Sequence, residues 1–253
     1  KLLLYYSLDR NYDYYKKITD AGINLGPYKN IFHMYIKKPE ITGNNDLYII
    51  PKSSKYKFYT SFEIDCSEFN KIFMKKNDIN NLTLKNFIKQ QKKFLYIYTD
   101  FLAYLRLENF RNLSFTEIKV SPLNYLSVLE LCSIDLNDSF LNLNLGINLN
   151  EIKLDNITFR GGERKGIIYI QHRSIRILHI TNVSAEILLP NLRIDLLKEL
   201  YLQNVDFYKN KDKLKVLLGK CSTLERLTLI NFELDLDLSG LEKELSVYYL
   251  KLE

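Results

Sequence analysis

Apolar residues recur along this chain in short blocks that share one internal spacing. Seven segments, Ile79–Phe87, Leu102–Phe110, Leu126–Ile134, Leu149–Ile157, Ile175–Val183, Leu197–Val205 and Leu224–Phe232, carry apolar residues at their first, fourth, sixth and ninth positions. Their fourth-position residues are Leu82, Leu105, Leu129, Ile152, Leu178, Leu200 and Leu227, with steps of 23, 24, 23, 26, 22 and 27 residues. Self-similarity at such a period predicts a solenoid of stacked coils. The fourth and sixth positions alternate with period two, which predicts a short strand with its leucines on one face and the intervening residues on the other. One coil cannot bury that leucine face alone, and stacking makes the core continuous.

The eighth position holds Asn86, Asn109, Ser133, Asn156, Asn182, Asn204 and Asn231, asparagine in six cases of seven. Here the chain leaves the strand and turns into the body of the coil. A buried asparagine, able to donate and accept, would pair backbone groups otherwise left without partners, so a stacked ladder of asparagines is expected.

Weaker copies extend the pattern. Tyr59, Phe62 and Ile64, and before them Ile31, Met34 and Ile36, keep the apolar spacing. The domain reading is a single structural domain, with residues 1–28, rich in tyrosine, as an N-terminal cap and residues 29–253 as the solenoid, clearest over 79–232. The segment Leu245–Glu253 reads as one more strand, with Leu245, Tyr248 and Leu250 in the repeat positions and no polar cap after it. An uncovered terminal strand offers its backbone to a neighbour, which suggests a homo-oligomer formed through the N-terminal and C-terminal ends. Between strands, DFYKNKDKLKVLLGKCS predicts a short helix, whereas SFLNLNLGIN and GIIYIQ predict extended pieces.

The segments LENF and LQNV, with asparagine two residues after the second strand leucine, resemble the leucine-rich-repeat superfamily in its cysteine-containing form. The stretch Leu197–Phe232 is similar to repeats of plant F-box proteins, although no segment matches an F-box. The resemblance implies an α/β fold: a horseshoe with a parallel β-sheet on its concave face and an irregular convex side. It further implies protein binding, and in F-box proteins substrate recognition for a ubiquitin ligase.

Composition narrows the function classes. The 36 basic residues are offset by 30 acidic ones and both signs are interspersed, whereas a nucleic-acid binder gathers its basic residues in one stripe. The Lys, Asn, Ile and Tyr bias fits an AT-rich genome of the kind found in several intracellular parasites. No run of about 20 apolar residues occurs, so no membrane span is expected. Cys66, Cys132 and Cys221 form no CxxC pair, which argues against a disulfide framework or zinc site and slightly favours the cytoplasm, with secretion left open. The loop Phe159–Gly166 is glycine-rich and basic but lacks a GK[ST] ending, and reads as an insertion. His33, His172 and His179 have no ligand spacing, and no nucleophile stands beside one in a known motif, so neither a catalytic residue, a metal site nor a cofactor is expected. Five N-x-[ST] sequons, at Asn81, Asn112, Asn137, Asn156 and Asn182, read mainly as by-products of the repeat, with Asn156 and Asn182 too buried for a glycan.

Residues between the core leucines should form the displayed face. Its candidate partner-binding residues are Lys85, Tyr104, Arg106, Glu108, Glu130, Glu151, Lys153, His179, Tyr201 and Arg226. Tyrosine and arginine are common interface anchors, so a protein fits this mixed face better than a phosphate backbone. The expected function is a non-enzymatic scaffold, with self-assembly as the alternative.

Overall fold

The computed structural model describes residues 2–6, 31–36, 46–51, 59–67, 71–75, 79–88, 94–99, 101–113, 118–121, 124–143, 148–160, 166–170, 172, 174–188, 196–205, 218, 223–231 and 249–252. They form a parallel β-solenoid. In chain order the strands are β1 (Leu2–Tyr6), β2 (Ile31–Ile36), β3 (Asp46–Pro51), β4 (Tyr59–Asp65), β5 (Lys71–Lys75) and β6 (Ile79–Lys85). Then come β7 (Phe94–Tyr98), β8 (Tyr104–Leu113), β9 (Ile118–Ser121), β10 (Val128–Leu136), β11 (Phe140–Asn142) and β12 (Glu151–Phe159). The last six are β13 (Gly166–Tyr169), β14 (Ile177–Val183), β15 (Ala185–Leu188), β16 (Glu199–Val205), β17 (Arg226–Ile230) and β18 (Tyr249–Leu252).

One ten-stranded sheet, in the order β18-β17-β16-β14-β12-β10-β8-β6-β4-β2, takes one strand from each coil. The remaining strands form a five-stranded sheet, β1-β3-β5-β7-β9, and a three-stranded one, β11-β13-β15. Every pairing is parallel, as it must be when each coil returns to the same side before laying down its next strand.

The repeat positions explain the core. Leu82, Leu105, Leu129, Ile152, Leu178, Leu200 and Leu227 lie opposite one another in successive strands, and all are buried. The sixth-position column, Leu84 to Leu229, and the first-position column, Ile79 to Leu224, are buried in the same way. At the ninth position Phe87, Phe110, Ile134, Ile157, Val183 and Val205 turn inward behind the corner. The weaker copies follow: Met34 pairs with Phe62 and Ile36 with Ile64, while Phe62 and Ile64 pair with Leu82 and Leu84.

The second side is more regular than expected. Leu95 and Ile97, Leu141 and Leu143, Ile168 and Ile170, and Ala185 and Ile187 alternate inward, so period-two burial builds strands there as well. Within SFLNLNLGIN and GIIYIQ the stretches Phe140–Asn142 and Gly166–Tyr169 are extended as expected, giving β11 and β13, and residues 144–147 and 171 lie outside the described residues. The helix expected across 206–222 lies outside the described residues except at Leu218, which is helical and buried. In the expected cap, β1 pairs with β3, and the rest of 1–28 lies outside the described residues.

Two expectations need correction. Leu250 and Leu252 pair with Leu227 and Leu229, so the last strand sits two residues away from the register read from Leu245, Tyr248 and Leu250. A two-residue slip preserves the alternation, and Leu250-x-Leu252 sets two leucines in register with Leu227 and Leu229 where Tyr248-x-Leu250 would set one.

The asparagines are not buried. Asn156, Asn182, Asn204 and Asn231 are exposed, and Asn86 and Asn109 are half-buried. What selects them is the backbone: all six, and Ser133 with them, lie at φ between 50° and 59°. Left-handed backbone costs most residues about 1–2 kcal/mol and is best tolerated by glycine and asparagine. The amides also stack, Asn109 Nδ2 donating to Asn86 Oδ1 (2.8 Å), Asn204 to Asn182 (2.6 Å) and Asn231 to Asn204 (2.8 Å). The ladder is interrupted in the middle, where Asn156 reaches only Ser133 Oγ at 3.4 Å and Asn182 donates to Asp155. Asn204→Ala is therefore expected to cost about 1.5–2.5 kcal/mol, from left-handed strain plus two exposed hydrogen bonds. Asn204→Gly relieves the strain and should cost less than about 1 kcal/mol in the same thermal melts.

Gly166 opens β13 against the ring of Phe159, and a Cβ built there would fall within that ring. Gly166→Ala should destabilise the fold by about 1–3 kcal/mol through overpacking. In a Phe159→Ala background most of that penalty should vanish, which a double-mutant cycle measures.

Candidate functional site

Parallel, in-register strands place equivalent positions of successive coils side by side, about 4.8 Å apart. On the face opposite the core leucines, the fifth-position column runs Thr83, Arg106, Glu130, Lys153, His179, Tyr201 and Thr228. The third-position column includes Tyr104, Glu151, Glu199 and Arg226, and the seventh includes Lys85, Glu108 and Asp155. All ten candidate binding residues therefore share one face of the ten-stranded sheet.

That face divides into two halves of different chemistry. In the first, Glu130 stands at the centre, its side chain only 9% exposed. Its Oε2 accepts from the Tyr104 hydroxyl (2.8 Å) and Arg106 Nη1 (2.9 Å), and its Oε1 from Lys153 Nζ (3.1 Å). Arg106 also reaches Glu108 (3.1 Å), Lys153 reaches Glu151 (2.6 Å), and Lys85 bridges Glu63 (2.9 Å) and Glu108 (3.8 Å). Each of these three cations thus touches two carboxylates, and the network holds four acids and three bases. Desolvation opposes ionisation of Glu130, but the hydrogen bonds from Tyr104, Lys153 and Arg106 outweigh it and hold the carboxyl below its usual range. Burial and the Glu130 carboxylate push the Tyr104 phenol up to about 12.

The second half is less saturated. His179 Nε2–H donates to Glu199 Oε1 at 2.7 Å, and the His179 and Tyr201 rings lie 5.5 Å apart. The Tyr201 hydroxyl donates to Gln203 Oε1 (2.7 Å). Arg226 is 66% exposed, with one 3.5 Å ion pair among the described residues, to Glu199. Ile177 and Ile230 add half-buried apolar surface at its margins.

Sequence position located these residues but not their pairing. Glu63 was not singled out, although it lies one coil before Thr83 in the fifth-position column, beside Lys85. Burial pushes the Cys132 thiol up, which keeps it protonated and a poor nucleophile. His172, away from this face, is buried and donates from Nε2 to the Leu143 carbonyl (2.9 Å), and burial holds it below the usual imidazole range. Among the described residues no three His, Cys, Asp or Glu side chains group closely enough to hold a metal ion. No helix among them is long and apolar enough to cross a membrane.

The arrangement is a mutually hydrogen-bonded surface on which acids and bases nearly balance. Comparison with protein families, with curated proteins and with solved structures gives no match to this chain.

Proposed function

We propose that this chain is a non-enzymatic protein-interaction scaffold that binds a protein partner through the displayed face of its ten-stranded sheet. The observation that carries this reading is the fixed, in-register presentation of Tyr104, Arg106, Tyr201 and Arg226 across that face. Side chains already ordered by backbone pairing and mutual hydrogen bonds lose little entropy on binding, which is what preorganisation contributes to affinity. The near balance of acids and bases favours a protein over a phosphate backbone. The period, the L-x-L strands and the asparagine corners support a leucine-rich-repeat reading, and an α/β class rests on Leu218 alone among the described residues. A ligase adaptor role rests on the similarity of Leu197–Phe232 to F-box repeats alone.

The test is partner capture from native extract by the full chain and two variants. Tyr201→Ala with Arg226→Ala should reduce recovery of the captured protein tenfold or more while leaving the melting temperature within a few degrees, since both side chains are partly exposed. Phe140→Ser, on the second side, should capture as well as the parent chain. Equal capture by all three would move the binding surface away from this face. A discrete oligomer in light scattering that competes with capture would instead favour self-assembly.

A further inference from the structure

Five sequons can be compared within one fold, and the structure separates them. Asn81 sits in β6 on the displayed face, flanked in register by Ser61 of β4 and Tyr104 of β8. Asn112 is half-buried in left-handed backbone, and its Oδ1 accepts from Arg160 at 2.7 Å. Asn156 and Asn182 are exposed, but each uses Nδ2 as a donor to the preceding coil, and the Asn182 Oδ1 also accepts from Asn204. A sugar on either Nδ2 would stand in a ladder whose steps are about 4.8 Å.

Asn137 combines exposure, a position outside the strands, in the bend 137–139 between β10 and β11, and a side chain that takes no partner among the described residues. Ser139, which supplies the sequon hydroxyl, is exposed as well, and its carbonyl accepts from Ile167 N (2.9 Å), which anchors the bend. Next in the chain stands Phe140, 44% exposed, which a bulky hydrophilic group would shield.

We propose that Asn137 is the N-glycan acceptor of this fold. In the transfer, Asn137 Nδ2 attacks the anomeric carbon of a polyprenyl diphosphate-linked oligosaccharide. The N–C bond forms as the C–O bond to the diphosphate breaks; the polyprenyl diphosphate leaves and Nδ2 gives up one proton. The displayed residues of β10 are Val128, Glu130 and Cys132, and Asn137 lies beyond the corner at Ser133. A glycan there leaves the displayed face open, and the proposal does not depend on what that face binds.

The test expresses the full chain behind a cleavable secretory signal in a eukaryotic host and isolates the folded, protease-resistant fraction, whether secreted or retained in the lumen. Enzymatic deglycosylation in heavy-oxygen water followed by mass spectrometry marks each occupied asparagine. Occupancy should be found at Asn137, with Asn156 and Asn182 unmodified. Asn137→Gln and Ser139→Ala should each remove that mass increment while leaving the melting temperature unchanged. A folded fraction bare at Asn137, or one carrying glycan on Asn156 or Asn182, overturns the proposal.

Discussion

Replacing Phe110 with alanine should lower the unfolding free energy by about 3–5 kcal/mol, the largest effect expected of a single truncation in this chain. Phe110 is fully buried, stacks on Phe87 at 5.3 Å between ring centroids and lies opposite Ile134 in the next coil. It follows Asn109, whose left-handed backbone aims the ring inward, so removing it leaves a cavity at the corner where three coils meet. A solenoid has no distant elements to collapse into that space, because each coil touches only its neighbours. Phe110→Leu keeps most of the volume and should cost about 1.5 kcal/mol or less. Chemical denaturation of the three proteins gives both numbers; a near-neutral alanine variant would mean that the ninth-position column is not core.

Glu130→Ala should cost about 2–4 kcal/mol. It strips a common acceptor from Tyr104, Arg106 and Lys153, leaving polar groups partly desolvated without their central partner. The cost falls short of that for a fully buried pair because Arg106 keeps Glu108, Lys153 keeps Glu151, and both bases remain partly in water. The pH dependence has a defined sign. The Glu130 carboxyl is held below its ordinary value of 4.5, so its contribution is fully present above that pH and is lost as pH falls through the lower folded value. The Tyr104 phenol is raised from 10.0 to about 12, so its contribution holds below pH 10 and is lost as pH rises toward 12. Glu130→Gln should flatten the acid limb and Tyr104→Phe the alkaline limb of a stability profile. An acid limb unchanged in Glu130→Gln would remove Glu130 from the centre of the network.

How much of this was legible in the sequence depends on the physical range of each signal. The core columns were, because a leucine pair such as Leu105 and Leu107 declares both the strand and its inward face through period-two alternation. The extended run Gly166–Tyr169 was legible for the same reason. The asparagine position was legible but its cause was not: burial of an amide and a left-handed corner both select asparagine, and only the backbone at Asn204 and its fellows separates them. The register of the last strand was misread because Tyr248-x-Leu250 and Leu250-x-Leu252 both satisfy the same alternation. In the candidate site, the displayed residues followed from spacing alone. Their mutual neutralisation did not, because Arg106, Glu130 and Lys153 lie 24 and 23 residues apart and meet only through the parallel register. Aligning the fifth positions of three consecutive repeats would have revealed that alternation of charge.

The face, the corners and the acceptor site all depend on a single unbroken ladder of parallel coils. It is tested most directly by a distance across that ladder. Asn81 and Arg226 occupy the same repeat position on β6 and β17, with β8, β10, β12, β14 and β16 between them. Spin labels on cysteines placed at 81 and 226, with the native cysteines changed to serine, should report one narrow population. The six strand spacings correspond to about 29 Å between the two backbones. A broad distribution, or a single distance shorter by two or more spacings, would contradict the continuous solenoid and with it the displayed face.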